Sequence, residues 1–286
     1  MSLPSTSSLE AQDLAHLPDC AARWRMPLVL RASIAVHVAL LLTVTIWPSA
    51  WPWALALFGA NHLLIALLGL WPRSQWLGPN LTRLPAAAIA RREIALTIDD
   101  GPHPEITPQV LDLLDRHKVK ATFFCVGEKA ARYPDLCRSI VERGHSVENH
   151  SASHRHSFSL LGLAAMRREV QNGQEILTRI TGRRPLFFRP PAGLRNPLLD
   201  PLLTKAGLRL ASWSRRGYDT RTANPAVVLR RLLRALEPGA ILLVHDDNCA
   251  RTPAGVPVVL AVLPDLIKAV HNSGLHFTTL PAALRS

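Results

Sequence analysis

Glu93-Ile94-Ala95-Leu96-Thr97-Ile98-Asp99-Asp100-Gly101-Pro102-His103-Pro104 is the stretch on which the fold turns. Its first half is short, apolar and bounded by charge, which reads as a buried strand over 94–98. Pro104 and Glu105 then open a helix over 107–117. Two adjacent carboxylates therefore stand where a strand ends and its loop begins, the end at which catalytic groups collect in α/β folds. Side by side they repel unless a cation or a proton lies between them. In isolation an Asp-Asp-Gly-Pro run is an ordinary surface turn; the rest of the chain gives this one another meaning.

From residue 93 onward, strand and helix patterns alternate. Strand-like runs fall at 94–98, 121–126, 146–149, 186–188, 208–213, 241–244 and 276–280. Helix-like runs fall at 107–117, 129–143, 163–181, 197–206, 225–236 and 256–272, with Gly144, Gly182 and Gly207 placed as helix stops. Such alternation predicts an α/β domain over 93–286, a parallel barrel or open sheet.

The stretch before residue 93 differs in kind. No Asp, Glu, Lys or Arg occurs between Arg31 and Arg73. The run breaks at Pro48 and Pro52 into two arms, each approaching the ~20 apolar residues that cross a bilayer. Trp47, Trp51, Trp53 and Trp71 sit at the arm ends, where aromatic belts form. A transmembrane helical hairpin over 27–72 is expected. A buried pair of soluble helices is the other reading. A signal peptide fits less well, because a second apolar run follows at once and no clear small-x-small cleavage site precedes it. Residues 1–26 are expected as a mobile tail, with room for a short helix at 9–17, and 73–92 as a linker. Arg23, Arg25 and Arg31 precede the hairpin; Arg73, Arg83, Arg91 and Arg92 follow it; its turn has none. The positive-inside rule then puts both ends, and the catalytic part, on the cytoplasmic side of the inner membrane as a multi-pass protein.

The chain of 286 residues has 48% hydrophobic residues and a net charge of +12. Residues 91–286 carry 28 basic and 18 acidic side chains, a net of +10, which suits an anionic partner such as phospholipid headgroups or a phosphorylated substrate. Nucleic acid is not expected: there is no binding motif and no interleaving of aromatic with basic residues. The four Cys form no Cys-x-x-Cys pair, so reduced thiols are expected rather than a zinc finger or a disulfide scaffold.

The chemistry-bearing residues recur at strand ends. His145, His150, His154 and His156 crowd one short stretch. His150-Ser151-Ala152-Ser153-His154 spaces two imidazoles four apart, one face of a helical turn, as a single metal ion requires. One Asp from the opening stretch completes three ligands with positions open, the stoichiometry of a catalytic metal site. Arg189-Pro190-Pro191-Ala192-Gly193 follows another strand and can orient a carboxylate. Asp219 follows the next, and Ile241-Leu242-Leu243-Val244 delivers His245.

Taken in order, these motifs resemble the NodB-homology polysaccharide deacetylases, carbohydrate esterase family 4. Thr97 to Pro102 stands for that family's T-F-D-D-G-P, His150 to His154 for H-[ST]-x-x-H, and Arg189 to Gly193 for R-x-P-Y-G. Asp219 stands for the Asp of the fourth motif and Leu242 to His245 for L-x-x-H. The resemblance covers about residues 93–286 and not the hairpin. It implies a distorted parallel (β/α) barrel in which Asp100, His150 and His154 hold one divalent metal ion, usually zinc in the family. It implies Asp99 as general base held by Arg189, His245 as general acid tuned by Asp219, Leu242 lining the acyl pocket and the Ala192 N–H on the oxyanion. Ile98 replaces a Phe, Ala192 a Tyr, and Thr220 stands where Trp often follows the Asp, so the groove for a long glycan is more open.

The expected function is metal-dependent hydrolysis of the amide of an N-acylated, N-acetyl sugar in a glycan or a lipid-linked glycoconjugate, with membrane lipid as a second partner. The alternative is a non-catalytic, membrane-anchored sugar- or lipid-binding protein that keeps the barrel. An Asp-nucleophile phosphatase is set aside, because that chemistry spaces its two Asp one residue apart.

Overall fold

The structure, a computed structural model, describes residues 24–234 and 236–285. The expected N-terminal tail up to residue 23, with the short helix considered at 9–17, lies outside the described residues.

Eight strands form one all-parallel sheet: β1 Glu93–Asp99, β2 Thr122–Cys125, β3 Ser146–Asn149, β4 Phe187–Phe188, β5 Arg209–Leu210, β6 Arg215–Arg216, β7 Ile241–His245 and β8 His276–Thr278. The order is β5-β4-β3-β2-β1-β7-β6, with β8 pairing the start of β1. β5 and β6, the two ends of this order, belong to one extended run over 209–216, so the sheet curls into a distorted half-barrel.

Alternation along the strands sorts side chains into two layers. Ile94, Leu96 and Ile98 of β1, with Leu242 and Val244 of β7, face out into the helix layer. Ala95 of β1, with Ile241 and Leu243 of β7, faces the barrel interior. Leu84, Ala88, Leu280 and Ala283 join that interior cluster and close its floor, where the strands begin.

Several boundaries differ from the sequence pattern. The helix expected over 129–143 is two, Gly127–Arg132 and Pro134–Glu142, because Pro134 has no N–H to continue the first and suits the opening turn of the second. β6, an Arg-Arg dipeptide, has no hydrophobic pattern to announce it. Residues 73–92 do more than link. Leu77 and Leu84 are buried, Leu81 bridges Ala211, Ala86–Ala90 is a helix and the Leu84 N–H donates to the Gly239 carbonyl.

The two apolar arms are helices Leu28–Ile46 and Trp51–Leu70, joined by a short turn at Pro48–Ala50. Both are long and apolar enough to cross a membrane, and little of either is covered by the rest of the chain. Asn61 Nδ2 donates to Ser33 Oγ at 2.8 Å between them. Their base docks on the barrel through several polar contacts. Trp24 Nε1 donates to Asp200 at 2.8 Å, the Arg195 N–H to the Gly69 carbonyl at 3.1 Å, and Arg195 Nη2 to the Ser74 carbonyl at 2.6 Å. Residues 193–200 follow the C-terminal end of β4, so the hairpin meets the barrel on the rim side, and the chain then descends to the floor before entering β1.

Candidate active site

The interior face of each strand changes character toward its C-terminal end. On β1 the inward series runs Ala95, Thr97, Asp99; on β7 it runs Ile241, Leu243, His245. Asp99 and His245 are register partners on adjacent strands. Residues 99 and 100 would ordinarily point to opposite faces. Asp100 leaves the strand with φ of 76°, a left-handed conformation, and its carboxylate turns toward the loop after β3. Gly101 is required next: a Cβ there would lie 2.4 Å from the Asp246 carboxylate.

Asp99 is held by a fully buried arginine. Arg189 Nη1 donates to Asp99 Oδ1 at 2.5 Å and to Thr97 Oγ1 at 2.9 Å. Its Nε donates to the Ala211 carbonyl and its Nη2 to the Ser212 carbonyl. The guanidinium lies 4.0 Å from the Phe124 ring centroid. Burial pulls the Arg189 pKa down and Asp99 pulls it back. A charge in so dry a place is tolerable because its donors are matched. Arg189 is aimed by β4, which Glu148 of β3 ties down by accepting the Leu186 and Phe187 N–H groups at 2.7 and 2.8 Å. Burial pushes that carboxyl up to about 8 against those two bonds.

Asp100, His150 and His154 converge, with one ligand atom of each within 4.8 Å of the others. Asp100 Oδ1 is 3.2 Å from His150 Nε2 and 3.0 Å from His154 Nε2. His150 Nδ1 donates to the Arg189 carbonyl at 2.7 Å, which sets the ring so that Nε2 faces Asp100. Either a proton on each Nε2 or one shared cation must separate these atoms, and the donor set fits a divalent ion with open positions. Burial works against charge on Asp100, but the two imidazoles outweigh it and hold the carboxyl well below its usual range. The expected helical turn at His150 is instead a loop: Ser151 and His154 have φ of 68° and 53°. The Ser151 N–H donates to Asn149 Oδ1, and Ser151 Oγ accepts the His154 N–H.

His245 has its own partner. Asp219 Oδ2 accepts the His245 N–H at 2.7 Å and Oδ1 pairs with Nδ1 at 3.0 Å. Burial opposes charging of the imidazole, but Asp219, backed by Asp100 and Asp99, outweighs it and raises His245 to about 9. Ala192 has φ of 56° on the exposed rim loop after β4.

Leu242 does not belong to this assembly. It lies three residues before His245, hence on the other face of β7, and packs in the helix layer. Leu243, two residues before His245, faces inward. Two of the crowded histidines also stand apart. His145 is buried at the start of β3, its Nδ1 accepting the Ala121 N–H, and burial lowers it to about 4. His156 is exposed, 5.9 Å from the His154 ring.

Supporting residues around this assembly had no sequence signal beyond, for those just after His245, adjacency to a motif. Asn248 Nδ2 donates to Asp100 Oδ2 at 3.1 Å. Lys129 donates to the Asp100 carbonyl and to Asp247. Asp246, buried beneath Gly101, accepts from Thr107 Oγ1; burial raises it to about 7. Cys125 and Cys137 are free and buried, and Cys249 is free and half-buried.

The family profile described as polysaccharide deacetylase matches residues 87–211. A peptidoglycan-N-acetylglucosamine deacetylase of Bacillus cereus is 33% identical over 194 residues, covering 67% of this chain and 88% of the relative. A chitooligosaccharide deacetylase of Sinorhizobium fredii is 32% identical over 207 residues, covering 70% of this chain and 96% of the relative. A crystal structure of a peptidoglycan N-acetylglucosamine deacetylase in complex with an N-oxidanyl-benzamide superposes with a TM-score of 0.63 at 30% identity, over 71% of this chain and 92% of that one. The chain therefore belongs to the polysaccharide deacetylase family with NodB homology, carbohydrate esterase family 4, and is a carbohydrate deacetylase by family. The two apolar helices lie outside the matched residues.

Proposed function

We propose that this member of the family is a membrane-anchored, divalent-metal-dependent N-deacetylase acting on an N-acetyl sugar carried on a lipid phosphate at the cytoplasmic leaflet. The observation that carries the chemistry is the pair of register partners, Asp99 with Arg189 and His245 with Asp219, set beside the Asp100–His150–His154 cluster.

A divalent ion held by Asp100, His150 and His154 would polarise the amide carbonyl and lower the pKa of a water. Asp99, oriented by the Arg189 guanidinium, takes the proton of the attacking water as the new C–O bond forms. The Ala192 N–H donates to the oxyanion of the tetrahedral intermediate. His245, held protonated by Asp219, gives its proton to the amine nitrogen as the C–N bond breaks, leaving acetate and a free amino sugar. Leu243, not Leu242, lines the acetyl side from β7.

The lipid-linked part of the reading is supported by the hairpin. It docks on the rim side of the barrel, through Gly69, Pro72 and Trp24, beside the loop that carries Ala192. A site held at that height meets sugars on lipid carriers at high local concentration. Arginine on both flanks of the hairpin supports the cytoplasmic side. The test uses the full chain in detergent micelles and measures acetate release from a polyprenyl-diphosphate-linked N-acetylglucosamine and from chitotetraose, with and without a chelator. Release from the lipid-linked sugar, lost on chelation, is the expected result. Efficient release from chitotetraose alone would overturn the substrate, full activity after chelation the metal, and a reporter at the C-terminus that reads periplasmic the topology.

A further inference from the structure

A second concavity lies at the junction of hairpin and barrel, a cleft of about 260 Å³ lined by Trp71, Arg73, Trp213, Arg215, Arg216 and Tyr218. Its charge is unbalanced. Arg73 Nη1 and Arg215 Nη1 both approach the one Ser214 carbonyl, at 3.2 and 3.5 Å. Arg216 stacks between Trp213 and Tyr218, 5.3 and 4.7 Å from their ring centroids. The Nε atoms of Arg215 and Arg216 are buried without a hydrogen-bond partner. Among the described residues none of the three arginines is in an ion pair, whereas Arg83, Arg91 and Arg143 of the same domain each take a carboxylate.

Converging guanidinium groups repel one another, and unpartnered buried donors are costly. The repulsion falls if an anion with several acceptor oxygens enters, and the planar fork of arginine suits phosphate. The aromatic rings hold the Arg216 plane in place in advance.

Location says which phosphate. Trp71, Pro72 and Arg73 follow directly on the helix Trp51–Leu70, so the cleft opens where that helix would leave the bilayer, at headgroup depth. Trp213 is a shared wall: its ring is 5.8 Å from the Arg189 guanidinium that holds Asp99 and 5.3 Å from that of Arg216. Gly193, next to Ala192, sits against both Trp213 and Pro72, where a Cβ would come within 2.5 and 2.8 Å.

We infer that this cleft is the subsite for the phosphate or diphosphate that joins the sugar to its lipid, holding the anion on one side of Trp213 while the N-acetyl group lies on the other. The inference rests on the lipid-linked reading above, and its test separates the two. With the full chain in micelles, inorganic pyrophosphate inhibits chitotetraose deacetylation competitively. In Arg73→Gln and Arg215→Gln the inhibition constant rises about tenfold or more, the loss expected of a charge-assisted hydrogen bond. In the same variants the ratio of kcat/KM for the polyprenyl-diphosphate-linked sugar to that for chitotetraose falls by a similar factor. Arg73 is exposed, so its replacement leaves a folded protein to measure. Absence of pyrophosphate inhibition, or inhibition indifferent to both substitutions, overturns the subsite, even if the lipid-linked sugar is turned over. Pyrophosphate inhibition that responds to both substitutions, without turnover of the lipid-linked sugar, overturns the lipid-linked reading and its phosphate as occupant. If phosphatidylglycerol in the micelles relieves the inhibition and the two substrates keep their ratio in the variants, the cleft is a headgroup anchor and the substrate assignment is overturned.

Discussion

The floor and the rim of the barrel are built by the same strands and are equally dry, yet they are opposite in chemistry. At the floor, Ala95 and Ile241 meet Leu84, Ala88, Leu280 and Ala283. Four residues further along the same faces, Asp99 and His245 meet Arg189 and Asp219, all four at most 6% exposed. Burial of the floor side chains stabilises the fold through apolar area. Burial at the rim costs desolvation, and paired charges only offset it. The floor is thus where stability resides and the rim where reactivity is stored, and substitutions at the two ends should part company.

The largest effect is expected at the rim. Asp99→Asn removes the proposed proton acceptor while keeping its shape. The rate is expected to fall by about 10²–10⁴-fold, with metal content by elemental analysis retained. Loss of the metal instead would exchange the roles of Asp99 and Asp100.

His154→Ala should abolish activity with loss of bound metal, while thermal unfolding of the metal-free protein moves little, because this partly exposed ring belongs to no core cluster. A large drop in the metal-free melting temperature would make the cluster structural and weaken the division between rim and floor.

Arg189→Met sharpens the comparison, since it strips the counter-charge from a buried carboxylate. A loss of about 3–5 kcal/mol is expected by denaturant titration, along with activity. The double variant Arg189→Met with Asp99→Asn should recover much of that stability but none of the rate. If it does not, the guanidinium is a packing element first.

At the floor, Leu280→Ala should cost about 2–5 kcal/mol of stability while kcat per folded molecule is kept, the reverse of Asp99→Asn.

The smallest effect is a displaced pH limb. His245, raised to about 9 when folded, contributes stability that is fully present below its unfolded value of ~6.5 and is lost as pH rises through about 9. The protonated form is also the proposed proton donor, so the rate is expected to fall on the alkaline side near pH 9. In Asp219→Asn that limb should move to lower pH. A limb that stays in place would assign the proton to another group.

The sequence by itself determined the layer pattern and the chemistry on offer. The apolar runs over 94–98 and 241–244 marked buried strands, and the ordered motifs picked out Asp99, Asp100, His150, His154, Arg189, Asp219 and His245, because such information is local to a few residues. The resemblance named these partners, and only the tertiary structure decided how they meet. Arg189 reaches Asp99 because β4 is held against β3 and the guanidinium spans the interior, a contact across 90 positions that no local pattern encodes. The left-handed φ at Asp100 and the loop, rather than helix, at His150 to His154 are set by neighbours that arrive from elsewhere in the chain. Leu242 shows the limit of reading a motif as letters. Its spacing from His245 matched, but the two-residue period of a strand puts it on the outer face and gives the inner one to Leu243. The arginine cleft was least legible of all: Arg73 and Arg215 are 142 positions apart in the sequence and share one carbonyl oxygen only because the segment after the hairpin packs back onto the rim.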